Sequence, residues 1–200
     1  MNDIIFQIST LSLLCVFYIV YFAKSLTLKR RGIAVDLLGK GSKPKSARIT
    51  EMFLKVVTFA GAVVQFGSVI FTELIWSLPM PTAARIPGIV LSAVGVMFFV
   101  MSVIIMKDNW RAGFDKNQNT NLVQSGIYKI SRNPAFIGFD LLYIGCAVAF
   151  PNVVNIAAAL FAVVLFHFQI IEEEKYCAEC FGEEYTLYKS KTMRYIGIRK

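Results

Sequence analysis

Two short segments of this chain carry side chains that could do chemistry. The first holds Tyr128, Arg132, Asn133, Pro134 and Gly138, and the second holds Glu172, Glu173 and Glu174, followed by Phe181, Gly182, Tyr185 and Tyr188. Pro134 suits the first turn of a helix, because its missing N–H needs no intrahelical partner there, and the remaining free N–H groups of that turn can bind an anionic or polar group. Gly138, one turn on, would let a ligand approach the backbone, and Tyr128 would supply an aromatic face and a hydroxyl. Carboxylates such as Glu173 and Glu174 can hold hydroxyl or amino groups and can accept a proton from a neutral reactant.

Three more polar residues lie inside the apolar stretch between these segments. Asp140 sits about six residues past Pro134, and His167 and Gln169 stand shortly before Glu172. At ~1.5 Å of rise per residue they share a similar depth. A carboxylate at that depth is expensive unless paired, so Asp140 is a functional candidate, with a structural Asp140–His167 or Asp140–Lys/Arg pair as the alternative. Gln169 and Glu173 are four apart and share one helix face, whereas His167 and Glu174 are seven apart and share another.

The elements that must position these residues are membrane helices. The chain has 200 residues, 56% of them hydrophobic and 17% charged, with mean hydropathy +0.58. This is too apolar for an ordinary soluble domain. Apolar runs at 4–23, 52–78 and 86–106 match the ~20 residues a helix needs to cross a ~30 Å hydrocarbon core. Two shorter runs, 135–150 and 152–171, are separated by the turn-forming Pro151-Asn152 and read as an antiparallel hairpin. The segments Arg132-Asn133-Pro134 and Glu172-Glu173-Glu174 then fall at one height on neighbouring helices roughly 8–10 Å apart.

The expected fold is an all-α integral membrane protein of about five transmembrane helices in a single domain, 1–200, with a C-terminal cytoplasmic helix that Gly182 bends. The first run has only Asp3 as a charge before it and is too long for a cleaved signal, so it is expected to be retained. Lys and Arg crowd the first loop, the third loop (Lys107, Arg111, Lys116, Lys129, Arg132) and the tail (Lys175 to Lys200), while the second loop has Arg85 alone and the fourth none. This places the N-terminus outside and the C-terminus in the cytoplasm of a plasma or inner membrane.

The net charge of +8 is therefore mostly topology plus attraction to lipid headgroups, and no basic, aromatic-interleaved module points to nucleic acid. Cys177 and Cys180 form a lone pair with no second pair to complete a zinc site, so no metal is expected. Gly39-Lys40-Gly41-Ser42-Lys43 fails as a phosphate loop, because Gly32 is two residues too far from Gly39 and Gly41 follows Lys40. It reads as a flexible cytoplasmic loop. The polar third loop, with Asn117-Gln118-Asn119 at its middle, places Trp110 at the membrane interface.

The order Gly126-x-Tyr128, Arg132-Asn133-Pro134, Phe136, Gly138, then an apolar hairpin, the Glu run, Phe181-Gly182, Tyr185 and Tyr188 resembles the isoprenylcysteine carboxyl methyltransferases and their phospholipid methyltransferase relatives. The resemblance covers 126–195 and implies a membrane enzyme using S-adenosyl-L-methionine. It implies that Tyr128, Arg132, Asn133, Pro134 and Gly138 help form the cofactor pocket, with Glu173 and Glu174 at the methyl-transfer centre and Tyr185 and Tyr188 on a cytoplasmic lid. Arg132 joins the two glutamates as a catalytic candidate, and Asp140 and His167 join the cofactor set. The acceptor would be a lipophilic or lipid-linked group entering laterally.

Departures from the family pattern bear on the acceptor. Asn133 stands where His is common, and Phe136 where Tyr is common. Gln169 stands where many members have an Arg that could hold a substrate carboxylate. Two other readings remain at this point: a small transporter with an ion path through Asp140 and His167, and a nicotinamide-dependent reductase. Five spans are few to enclose a site, which leaves room for a homodimer through Gly88, Ser92 and Gly95 of the third span.

Overall fold

The computed structural model describes residues 2–41, 43–72, 74–75, 78–115 and 120–198; Met1, Ser42, Glu73, Trp76, Ser77, Lys116, Asn117, Gln118, Asn119, Arg199 and Lys200 lie outside the described residues. The described residues form five α-helices: α1 (Asn2–Arg30), α2 (Lys45–Ile70), α3 (Thr82–Met106), α4 (Pro134–Ala149) and α5 (Val153–Lys191). Among the described residues the only extended pairing is two isolated bridges. Four of the helices are long and apolar enough to cross a membrane, and α4 is a shorter apolar helix. This is an all-helical integral membrane protein.

Helix boundaries shift from the apolar runs where polar groups take over the backbone. The second helix ends at Ile70, eight residues before the expected end, because the Thr72 hydroxyl donates to Ser68 O and Val69 O and Phe71 N–H closes on Gly67 O. It also starts early, at Lys45 behind Pro44, so its first turns carry Lys45 and Arg48. The turn at Pro151-Asn152 is where the sequence places it. Asn152 caps α5 by accepting from Asn155 N–H at 2.8 Å. The last helix then runs 39 residues, past the apolar part, with its one non-helical residue at Gly182 (φ 51°, ψ −120°).

Small residues fuse α3 to α4. A Cβ on Gly138 would lie 2.8 Å from Gly95 O and from Phe99 N, and one on Gly88 would lie 2.5 Å from Ala149 N. Two expectations give way to this antiparallel crossing. Gly138 faces α3 rather than a ligand. Gly88, Ser92 and Gly95 are spent inside the chain, because backbone contact this close needs glycine at 88 and 95 and leaves room at 92 for no more than the serine hydroxyl, which donates to Gly88 O.

The ends of the bundle sort as the basic residues suggest. At one end Leu78 N–H donates to Pro151 O, and Arg85 donates to Ala149 O and pairs with Asp3. At the other end the first loop, the third loop and the tail meet. Leu37 N–H donates to Ala112 O, Ala112 N–H donates to Val35 O, and Arg31 pairs with Asp108. The first loop is thus folded, not flexible as expected. Lys43 and Glu51, both with fully buried side chains, pair at 2.5 Å, and Gly39 N–H donates to the same carboxylate. A charge buried in this way must be paired and hydrogen-bonded, and the loop closes to do so. Trp110 is buried against the edge of Tyr21 and not displayed at an interface.

Candidate functional site

Glu174 is the hub. Its Oε1 accepts from Arg132 Nε (3.1 Å), Arg132 Nη2 (2.7 Å) and Asn133 Nδ2 (3.2 Å), and its Oε2 accepts from Arg194 Nε (3.1 Å) and Nη2 (2.9 Å). The two segments singled out from sequence therefore meet through charge-assisted bonds. The apolar part of α5, 153–171, is ~28 Å long at ~1.5 Å per residue and suffices to cross the core, so Glu173 and Glu174 stand beyond it. Burial pulls the Glu174 pKa upward, but hydrogen bonds and charge from Arg194 and Arg132 outweigh it and hold the carboxyl below its ordinary range. With five donors on it, Glu174 is an ion-paired organiser.

Glu173 is different. It accepts from Gln169 Nε2 at 2.9 Å, as the four-residue spacing suggests, and Gln169 Nε2 also reaches Glu51 Oε1 at 3.4 Å. Glu173 sits in the interior yet keeps part of its surface open to a cavity. Burial chiefly raises its pKa, to about 7, against the Gln169 hydrogen bond, with the Glu51 charge adding to the rise and Lys43 opposing it. A carboxyl poised near neutrality can hold or release a proton. Glu172 pairs instead with Lys175 on the surface.

The cavity is about 1460 Å³. Its polar end is walled by Tyr128, Arg132, Asn133, Gln169, Glu173 and Tyr185, with Glu174 and Tyr188 beside them. Tyr188 donates to Tyr128 O (2.6 Å) and Ser131 O (3.3 Å), so it clamps the 3-10 turn Gly126–Lys129 that carries the first motif. Burial raises the pKa of the Tyr128 phenol. From this end the cavity runs between α1 and α2, past Tyr18, Phe22, Phe59 and Phe66 to Phe71. From Lys55 to Phe71 along α2 is ~24 Å at ~1.5 Å per residue, which is most of a hydrocarbon core.

The expected cofactor residues divide. Tyr128, Arg132, Asn133, Glu174, Tyr185 and Tyr188 come together around the cavity with Glu173. Pro134 opens α4 as expected but is packed away behind Asn133, and Gly138 is turned to α3. Asp140 and His167 do not pair with each other and are not on the cavity wall: His167 Nδ1 lies 2.5 Å from the Tyr195 hydroxyl, and Asp140 Oδ1 is buried without a partner. An ion path through both therefore lacks its central contact.

Several site residues escaped the sequence reading. Arg194 is one of several basic residues in the tail, and no motif around it marks it for the site. Glu51 was overlooked at the head of an apolar run, where an acidic residue is a signal in its own right. The roof of the cavity, 109–115 and 120–123, is loop without a motif, pinned by Tyr176, which donates to Asp115 O at 3.0 Å and stacks on Phe114. Among the described residues no cluster of His, Cys, Asp and Glu could hold a metal.

Residues 83–184 match the family model for phospholipid methyltransferases. Over 79 residues the chain is 34% identical to protein-S-isoprenylcysteine O-methyltransferase of Schizosaccharomyces pombe, covering 38% of this chain and 33% of that protein. Over 77 residues it is 35% identical to the protein of that name from Saccharomyces cerevisiae (38% and 32%), and over 79 residues 34% identical to protein-S-isoprenylcysteine O-methyltransferase B of Arabidopsis thaliana (38% and 39%). The chain spans about a third of the length of these curated relatives. The matched family segment holds Tyr128, Arg132, Asn133, Gln169, Glu173 and Glu174, whereas α1, α2 and Arg194 lie outside it.

Proposed function

The chain belongs to the phospholipid methyltransferase family, and on that premise we propose that it transfers a methyl group from S-adenosylmethionine to a lipophilic, lipid-linked acceptor at the cytoplasmic face of its membrane. The observation that carries this reading is the joining of Arg132, Asn133 and Glu174 at the polar end of a cavity whose other end runs between two membrane helices. At about 1460 Å³ it exceeds the ~300–1,000 Å³ of single-ligand clefts, so there is room for a donor and part of an acceptor.

The residues fit the donor. Gln169 Oε1 is a buried acceptor with no partner, suited to a ribose hydroxyl or an amino group, and Glu173 beside it offers a second. Tyr128 and Tyr185 supply aromatic faces for an adenine. S-adenosylmethionine would bring an electrophilic methyl on a sulfonium. The protein's own part is to orient the partners, exclude water and manage one proton. Glu174 holds Arg132 and Asn133 in place, Tyr188 locks the turn beneath them, and Glu173 takes the proton of a neutral acceptor. The cations on the cavity wall are already engaged: Arg132 with Glu174, Lys55 with Asp36, and Arg111 with Asp108 O and Trp110 O. Together with Gln169 in place of a cation, this favours an acceptor that carries a proton, such as a lipid-linked amine or thiol, over a carboxylate.

The test is transfer of isotope-labelled methyl from S-adenosylmethionine into organic-phase lipid by the protein in nanodiscs made from total lipid extract. Label in the lipid phase that disappears with Glu173→Gln supports the reading. Binding of a nicotinamide cofactor without methyl transfer would replace it.

A further inference from the structure

After α5 the chain turns back on itself. Thr192 bridges Ile198, Met193 N–H donates to Gly197 O, and Gly197 N–H donates to Ile130 O. The inner side of this 192–198 hairpin supplies the site: Thr192 O and Met193 O accept from Arg132, Arg194 O accepts from Asn133, and the Arg194 guanidinium reaches Glu174. Its outer side is apolar, with Tyr195 38%, Ile196 58% and Ile198 63% exposed. Exposed Lys129, Lys189 and Lys191 flank it.

Depth decides what covers this surface. The Tyr195 ring stacks on His167, with centroids 6.2 Å apart and planes at 14°. His167 lies four residues, ~6 Å along the helix, inside the end of the apolar run, beside the exposed Phe168. The hairpin therefore bends back to the boundary of the hydrocarbon. An apolar tip flanked by lysines at that level matches acyl chains below and anionic headgroups above.

We propose that the 192–198 hairpin is a membrane-surface contact that seats Tyr195, Ile196 and Ile198 in the acyl boundary and Lys129, Lys189 and Lys191 against anionic lipid headgroups, and that this seat holds Arg194 on Glu174. The surface contact stands on geometry alone; its consequence for catalysis rests on the methyltransferase reading. Lipid composition then sets the order of the site.

Two ligand-free measurements on the full chain in nanodiscs test it. In the first, Ile196→Trp is placed among acyl-brominated lipids, with the native tryptophans subtracted by running the unsubstituted protein. Quenching of the added Trp by bromine supports the seat, and quenching by aqueous acrylamide instead overturns it. In the second, amide exchange is followed across 126–134 and 192–198 in neutral and in anionic nanodiscs. Exchange slower by about tenfold in anionic lipid, with the difference abolished in Lys189→Glu/Lys191→Glu, supports the coupling. Equal exchange in both lipids overturns it, whether or not the chain proves to transfer methyl groups.

Discussion

The two neighbouring carboxylates of α5 have opposite environments, and that contrast makes their roles separable. Glu174 is buried between Arg132 and Arg194, so Glu174→Ala leaves charge unpaired and is expected to cost stability as well as activity. A fully buried pair would lose about 3–5 kcal/mol, and less applies here because the Arg194 side chain is 37% exposed. Glu173→Gln should fold normally and lose methyl transfer by at least ~10²-fold. The pKa of Glu173 is raised to about 7, so the stability its protonated form contributes is full below the ordinary carboxyl range and is lost as pH rises through about 7. Glu173→Gln should thus match the native protein in unfolding midpoint below about pH 4 and exceed it at about pH 8. Equal midpoints at both values would remove Glu173 from the interior. Spacing alone disclosed the Gln169–Glu173 contact, because it is local to one helix. Arg194 was hidden because its partner is twenty residues away across a hairpin.

At the scale of the elements, apolar runs located all five helices, yet not their ends or their rotation. The end of α2 depends on the Thr72 hydroxyl, and which way Gly138 points depends on Gly95 and Phe99 of another helix. A helix's phase relative to its neighbours is a tertiary property. Gly138→Val is therefore expected to act as a packing mutation, destabilising by about 1–3 kcal/mol or more with little selective effect on cofactor affinity in the folded fraction. Denaturation followed alongside binding would separate the two. Tyr188→Phe removes two hydrogen bonds to the turn that carries Tyr128. It should cost about 0.5–1.5 kcal/mol per bond, seen as weaker binding of S-adenosylhomocysteine more than as a higher KM for the acceptor. The loops were the least legible part, since the first and third take their structure from each other, from the buried Lys43–Glu51 pair and from tyrosines of α5, all distant in sequence.

Taken whole, the molecule divides its labour between the matched family segment and the helices that precede it. Residues 83–184 carry most of the polar end of the cavity, completed by Tyr185 and Tyr188, and α1 and α2 build the apolar groove leading to it. The basic first and third loops and the tail gather at the end of the bundle where that polar site lies. A groove ~24 Å long implies that acceptors with progressively shortened chains should lose kcat/KM stepwise, by up to about fourfold for each buried CH₂ removed. A flat dependence would mean the chain lies elsewhere. The most direct test of the account is calorimetric titration of the nanodisc-embedded protein with S-adenosylhomocysteine, with Tyr185→Ala and Asp140→Asn alongside. Saturable micromolar binding is expected, weakened by Tyr185→Ala and unchanged in Asp140→Asn. Absence of binding to folded protein, or loss in Asp140→Asn alone, would contradict it.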